Sequence, residues 1–262
     1  MTNPLHITSC LAEVTDGLCQ RLAQRLNTTL GSDIRFLGGS WPEREAALEQ
    51  QAAQMALVCG LLHVFKGRQP DWEFEPMVAP VMRSARYGNQ PVYFADVVVH
   101  QGSPYQMLDD LAGSRWAYNE PASFSGHHMM LLWLAQTGKP ADFFRQRIQS
   151  GAHSRSLAMV AEGLADCAAI DSTVLDMEAV REPERKRPLR TIGSLGPYPM
   201  PPLVVSRRLP EATRRAIQQQ LTTLHEDEAG QALLAEWDIV RLTAVSDTTY
   251  DPIRQLPISM TL

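Results

Sequence analysis

The sequence predicts an α/β protein of two lobes, and three observations carry that expectation. Short apolar, β-branched runs alternate with helical patterns, as they do where strands are mainly parallel. Two such units follow one another with neither a low-complexity linker nor a repeat of fixed period. The long apolar run from Val92 to His100 separates them, so the lobes are expected to be joined by crossing strands rather than by a tether.

Leu5 to Ser9 reads as the first strand. Leu18, Leu22 and Leu26 then recur on one helical face, with Thr15 or Asp16 as N-cap. Ile34 to Leu37 is a second strand, stopped by Gly38-Gly39, and Ser40-Trp41-Pro42-Glu43 has the form of a capping box before the helix of Ala46, Ala47 and Leu48. Met55 to Cys59 is a third strand, ended by Gly60. Beyond Phe74 to Met82, the turn at Gly88-Asn89 and the run to His100, a second unit begins. It has a strand at Trp116 to Tyr118, a helix from about Gly126 to Ala135, a helix at His153 to Gly163 and a strand at Cys167 to Ile170. After the charged stretch Arg181 to Arg187 comes the apolar, proline-rich Thr191 to Ser206. A helix after Pro210 then carries Ala212, Ala216, Ile217, Leu221 and Leu224 on one stripe.

At 262 residues, 44% hydrophobic and 20% charged, the chain is long enough to bury a core without metal or disulfide staples. A net charge of −5 gives no reason to expect nucleic acid as a partner. Cys10, Cys19, Cys59 and Cys167 lack metal-ligand spacing and read as buried thiols. No leader pattern stands at the N-terminus and no apolar run nears the ~18 residues of a membrane span. The chain as written is therefore expected to be cytoplasmic, or periplasmic if a leader has been removed, and not inserted in a membrane. His127 and His128 are adjacent, so their side chains diverge by about 100° on a helix; with no partner four positions on, no metal and no cofactor are assigned. P-loop, GxSxG and GxGxxG patterns are missing from the sequence.

The segment from Val92 to Gly126 carries a resemblance. Leu108-Asp109-Asp110-Leu111-Ala112-Gly113, the strand Arg115 to Tyr118 and the loop Glu120-Pro121-Ala122-Ser123-Phe124-Ser125-Gly126 follow in order. Gly151-Ala152-His153-Ser154, then Glu162 to Asp171, then Asp247 to Pro252 come after them. This order is similar to that of the periplasmic phosphate-, phosphite- and phosphonate-binding proteins that serve ABC importers. Their patterns are D-L-x-G-K-x-x-A, D-P-x-S-T-S-G, G-S-H, G-x-A-D-V-A-A-V-D and D-x-x-Y-D-P. The resemblance covers nearly the whole chain. It implies a type 2 periplasmic-binding-protein-like fold, in which two α/β lobes flank a ligand cleft and crossing strands form the hinge. The lobes would be residues 1–98 with 196–262, and 99–195, with hinges near Val97 to Gln101 and Gly193 to Pro199.

A loop of small hydroxyl residues at a helix start offers unpaired N–H groups and the positive end of the helix dipole, which hold phosphate-like groups without a lysine. Ser123 and Ser125 would add hydroxyls, the backbone from Ser125 through Gly126 to His127 an N–H fork, and His153 its ring. Taken alone the two serines read as plain N-caps; within the ordered set of motifs, binding is the better account. Phe124 stands where the family has threonine and Glu120 where it has aspartate, so a larger or partly aromatic anion is conceivable. In the first lobe, Thr8-Ser9-Cys10 and Cys59-Gly60-Leu61 should face the cleft as carboxyl strand ends. Trp41 lies where the family has a tyrosine packed over the ligand, or is a helix staple. Asp171 would bind a positive ligand group or cap the next helix.

The function this implies is a solute-binding protein that closes on a small oxyanion and catalyses nothing, with an ABC importer permease as a possible partner. A cytoplasmic enzyme of the menaquinone or thiamine-pyrimidine type, which shares the architecture, is the alternative. There His153 or Asp171 would move protons and Cys10 or Cys59 would react. A transcription-factor effector domain would need a helix-turn-helix segment of ~60 residues ahead of it, and the sequence shows none.

Overall fold

A computed structural model describes residues 4–181 and 188–258; the charged stretch after Arg181 lies outside them. The chain folds as two compact units, Met1–Val92 with Pro199–Leu256 and Tyr93–Tyr198 with Pro257–Leu262. They are called unit 1 and unit 2 below.

Unit 1 is built on a six-stranded sheet. Strands β1 (Leu5–Cys10), β2 (Ile34–Phe36) and β3 (Met55–Val58) are parallel. β4 (Phe74–Met82), β10 (Leu203–Ser206) and β11 (Ile239–Ala244) complete the order β11-β4-β10-β3-β1-β2 through antiparallel pairs. The sheet is therefore mixed rather than mainly parallel. The proline-rich segment read after Thr191 supplies β10, which returns from unit 2 against the direction of β3. All four residues of β3 are buried, the pattern of a strand covered on both faces. Leu18, Leu22 and Leu26 of α1 (Val14–Leu30) lie in the core as their spacing requires. The helix starts a turn ahead of the expected caps: Glu13 is its N-cap, and Thr15 instead bonds Ser9 through its hydroxyl. At α2 (Trp41–Glu49) the capping box forms between Ser40 and Glu43. α3 (Gly60–Lys66) follows β3 directly.

Unit 2 carries the order β7-β6-β8-β5-β9, from β5 (Val92–His100), β6 (Arg115–Tyr118), β7 (Gln146–Gln149), β8 (Cys167–Asp171) and β9 (Leu189–Pro199). β6, β7 and β8 are parallel, and β5 runs antiparallel to β8 from Ala95↔Asp171 to Val99↔Cys167. The two units divide at Val92/Tyr93 and Tyr198/Pro199, where the sequence reading sets 98/99 and 195/196. Val97 to Val99 are buried mid-strand residues, so the first hinge segment expected at Val97 to Gln101 is sheet interior for most of its length. Helices α4 (Met129–Gln136), α5 (His153–Ala161) and α6 (Ser172–Arg181) belong to this unit. α7 (Glu211–Thr222), α8 (Glu228–Ala235) and α9 (Asp251–Arg254) return to unit 1. Leu224, expected on the stripe of α7, is buried in a short turn just beyond it.

Candidate functional site

Three parallel strands of unit 2 end side by side, and their carboxyl ends are where an open α/β sheet presents ligand-binding groups. β6 runs out into Asn119, β7 into Ser150 and β8 at Asp171. Ser150 N donates to Tyr118 O at 2.8 Å and Gly151 N to Asn119 O at 2.9 Å. These two bonds stitch the exits of β6 and β7 together and bring His153, the first residue of α5, beside Asn119.

Past β6 the chain turns into a π-helical segment, Phe124–His128, which continues as α4. Ser123 is its N-cap, with its hydroxyl accepting from Gly126 N at 3.1 Å. His128 N donates to Ser123 O at 3.1 Å, five residues back, so the opening turn leaves one more N–H unspent than an α-helix would. Of the four N–H groups from Phe124 to His127, only that of Gly126 is taken up by the cap. Those of Phe124, Ser125 and His127 find no backbone acceptor among the described residues. Within the fork expected from Ser125 to His127, the middle donor, Gly126 N, is engaged by the Ser123 hydroxyl.

His153 is buried, with its Nε2 3.5 Å from Ser125 Oγ and 3.4 Å from Asn119 Nδ2. The ring's Nδ1 is buried and unpartnered within the protein, as is Asn119 Oδ1. Burial pushes the imidazole down to about 4, so the ring is neutral near pH 7. Gly126 is required here: a Cβ would fall 1.9 Å from Asn119 Oδ1 and 3.1 Å from His153 Cε1. The gathered side chains of Asn119, Ser123, Ser125 and His153 are all uncharged, and they offer donors to an anion without placing a cation beside it.

The other expected positions divide. The Phe124 ring is fully buried and meets Tyr198 edge-on, centroids 4.9 Å apart. His127 is turned away from His153. Its ring lies 5.5 Å from that of Trp116 and 4.6 Å from that of Tyr118, and its Nδ1 is 3.0 Å from Pro121 O. Asp171 Oδ1 accepts from Thr173 N at 2.8 Å and Thr173 Oγ1 at 2.7 Å, so it caps α6, while burial pushes its carboxyl up to about 6.

Trp41, Cys10 and Gly60 belong to unit 1. Trp41 Nε1 donates to Glu45 Oε2 at 3.3 Å, one turn along α2. Cys10 is fully buried and its thiol is pushed up to about 12 by burial, which excludes a reactive thiolate at neutral pH. A Cβ on Gly60 would meet Ile253 Cδ1 at 2.9 Å and Tyr250 Cδ1 at 3.3 Å, so this glycine admits α9 against α3.

The model of the family described as "ABC transporter, phosphonate, periplasmic substrate-binding protein" matches residues 10–250. The chain belongs to this family. Phosphonate-family relatives repeat the likeness. The phosphonates-binding periplasmic protein of Escherichia coli is 27% identical over 173 residues, which are 64% of this chain and 51% of that one. The chain thus spans about half the length of that curated relative. Among solved structures, a binding component of an ABC phosphonate transporter from Pseudomonas aeruginosa superposes with a TM-score of 0.83 at 14% identity, covering 97% of this chain and 85% of that one. PhnD1 from Prochlorococcus marinus, in complex with methylphosphonate, gives 0.79 at 16% identity, with 96% of each chain covered. Type 2 periplasmic binding proteins share the fold, and the family is periplasmic. No described helix is long and apolar enough to cross a membrane.

Sequence reasoning passed over one residue of this cluster, Asn119. The signal was its place, one step past the carboxyl end of β6, the position from which strand-end ligands are held.

Proposed function

We propose that the chain binds a small phosphonate- or phosphate-type oxyanion at the carboxyl ends of β6–β8. Ser125, the N–H groups of Phe124, Ser125 and His127, and His153 Nδ1–H would donate to it. The reading rests on one observation above all: the widened opening turn leaves its N–H groups unspent beside a buried imidazole whose Nδ1 has no partner. The positive end of the helix dipole adds to the attraction. Charge-assisted bonds of about 1.5–3 kcal/mol each make three or four sufficient for the roughly 8 kcal/mol of micromolar binding.

In this reading Asn119 positions His153, and Ser123 shapes the turn. Release follows from turning about the chain crossings at Val92/Tyr93 and Tyr198/Pro199. The protein works in the periplasm, hands its ligand to an ABC permease and breaks no bond in it. The high thiol pKa of Cys10 and the capping duty of Asp171 support the absence of chemistry. Calorimetry with phosphate, phosphite, methylphosphonate and 2-aminoethylphosphonate tests the reading. At least one should bind with micromolar affinity, and silence from all four overturns it. A new phosphorus resonance appearing while a bound ligand is held with the protein would overturn the non-catalytic part.

A further inference from the structure

Unit 1 contains a cavity of about 130 Å³ lined by His63, Val64, Gly67, Arg68, Trp72, Phe74, Arg207, Asp247 and Arg254. That is about ten times the ~10–15 Å³ that admits one water, enough for a small ion. The cavity lies away from the carboxyl strand ends. Val205 of β10 pairs with Met55, the first residue of β3, so Arg207 lies beyond the amino end of that strand. α3 leads back from Gly60 toward the same end, carrying His63, and Arg68 follows its C-cap Gly67.

The charges on its wall do not cancel. Asp247 is the one acid lining the cavity, and it is held by His63 Nε2 at 3.0 Å and Arg254 Nη2 at 2.8 Å. Arg254 also bonds Asp251, and Arg207 reaches Glu75 only at 3.5 Å. Arg68 is exposed, lies over the Phe65 ring at 4.6 Å and has no carboxylate partner among the described residues. Trp72, more than nine-tenths buried, holds its indole N–H without a partner in the protein, and a buried donor left unpaired is unfavourable. His63 gives its Nε2–H to Asp247, so its Nδ1 is an acceptor and adds nothing to an anion's donors.

We propose that this cavity is a second anion site, independent of the strand-end site in unit 2, and that it takes the phosphoryl group of a small phosphate or phosphomonoester. Arg68 has no carboxylate partner among the described residues, and with the Trp72 indole N–H and the N–H groups that Arg207 and Arg254 have left over it supplies the donors. They match the three or four oxygens of a phosphoryl group, which arginine bonds two at a time. The Trp72 and Phe74 rings, 4.8 Å apart, form an apolar wall for whatever the phosphoryl group is attached to.

The test follows the indole N–H resonance of Trp72 in the full chain, assigned with Trp72→Phe, during titration with inorganic phosphate and, separately, glycerol phosphate. A saturable shift is expected, and it should persist in His153→Ala, which disables only the unit 2 site. Arg68→Gln with Arg207→Gln, two exposed positions that leave the core alone, should raise the midpoint about tenfold or more. A tighter midpoint for glycerol phosphate identifies an organic phosphomonoester, and an equal one identifies free phosphate; both support the site. No shift at millimolar ligand, an unchanged midpoint in the double variant, or an equal response to acetate overturns it.

Discussion

Hydroxyl and glycine residues gather at the carboxyl strand ends of both units; unit 1 spends those of Thr8 and Ser9, and unit 2 spends Ser123 and Ser150 but leaves Ser125 loosely held. In unit 1, Thr8 Oγ1 donates to Leu37 O at 2.6 Å, Ser9 Oγ pairs with Thr15 Oγ1 at 2.6 Å, and Arg44 Nη1 takes Ser9 O at 2.9 Å. Gly60 is closed over by Ile253 and Tyr250. In unit 2, Ser125 and His153 touch one another only at 3.5 Å, and the N–H groups around them stay open. A residue type at a strand end therefore says where a ligand group could stand, and the local hydrogen-bond account says whether it is still available.

The sharpest way to break this contrast is Gly126→Ala. Its Cβ must displace Asn119 Oδ1, so phosphonate binding should fall more than about 100-fold in calorimetry, with about 1–3 kcal/mol lost in denaturant unfolding. Retained affinity would mean that Asn119 and His153 can separate without consequence. His153→Ala should weaken binding by about 10- to 100-fold and Ser125→Ala by about tenfold, as expected for single hydrogen bonds to a charged group.

Acid sharpens the comparison through the same imidazole. The ring titrates near 6.5 when unfolded and at about 4 when folded, so it adds stability in full above pH 6.5 and loses it as pH falls toward 4. Asp171, raised to about 6, acts in the opposite sense below that pH, so the effect must be read as a difference between proteins. Lowering pH from 7 to 4.5 should destabilise the parent by about 2–3 kcal/mol more than His153→Ala, measured by urea unfolding at each pH. An equal loss in both would show that His153 is not held neutral by burial. In unit 1, Gly60→Ala should cost about 1–2 kcal/mol of stability while leaving affinity unchanged. A drop in affinity at full stability would return Gly60 to the ligand.

Much of this was legible in the sequence because repetition and capping leave regular marks. Leu18, Leu22 and Leu26, the box at Ser40, and the cluster of Ser123, Ser125 and His153 all sit where pattern or resemblance put them. The rest depended on direction rather than identity. Phe124 and His127 lie in the same loop as the serines, but their rings pack against Tyr198 and against Trp116 with Tyr118, neighbours brought up by other strands. The five-residue step from Ser123 to His128 follows from no residue preference that a sequence reading uses. Likewise, the mixed character of the unit 1 sheet comes from β10 returning after more than a hundred residues in unit 2, a distance no local window spans.

The widened turn has a consequence for how this site can change. Each residue advances a helix by about 100°. Deleting one between Phe124 and His128 would tighten the turn to an ordinary α start and withdraw a donor. It would also rotate Met129, Met130, Leu132 and Leu134 off the buried face they now fill. Loop length and core register are therefore locked to each other, and the ligand preference of the strand-end site is open to substitution but closed to insertion and deletion.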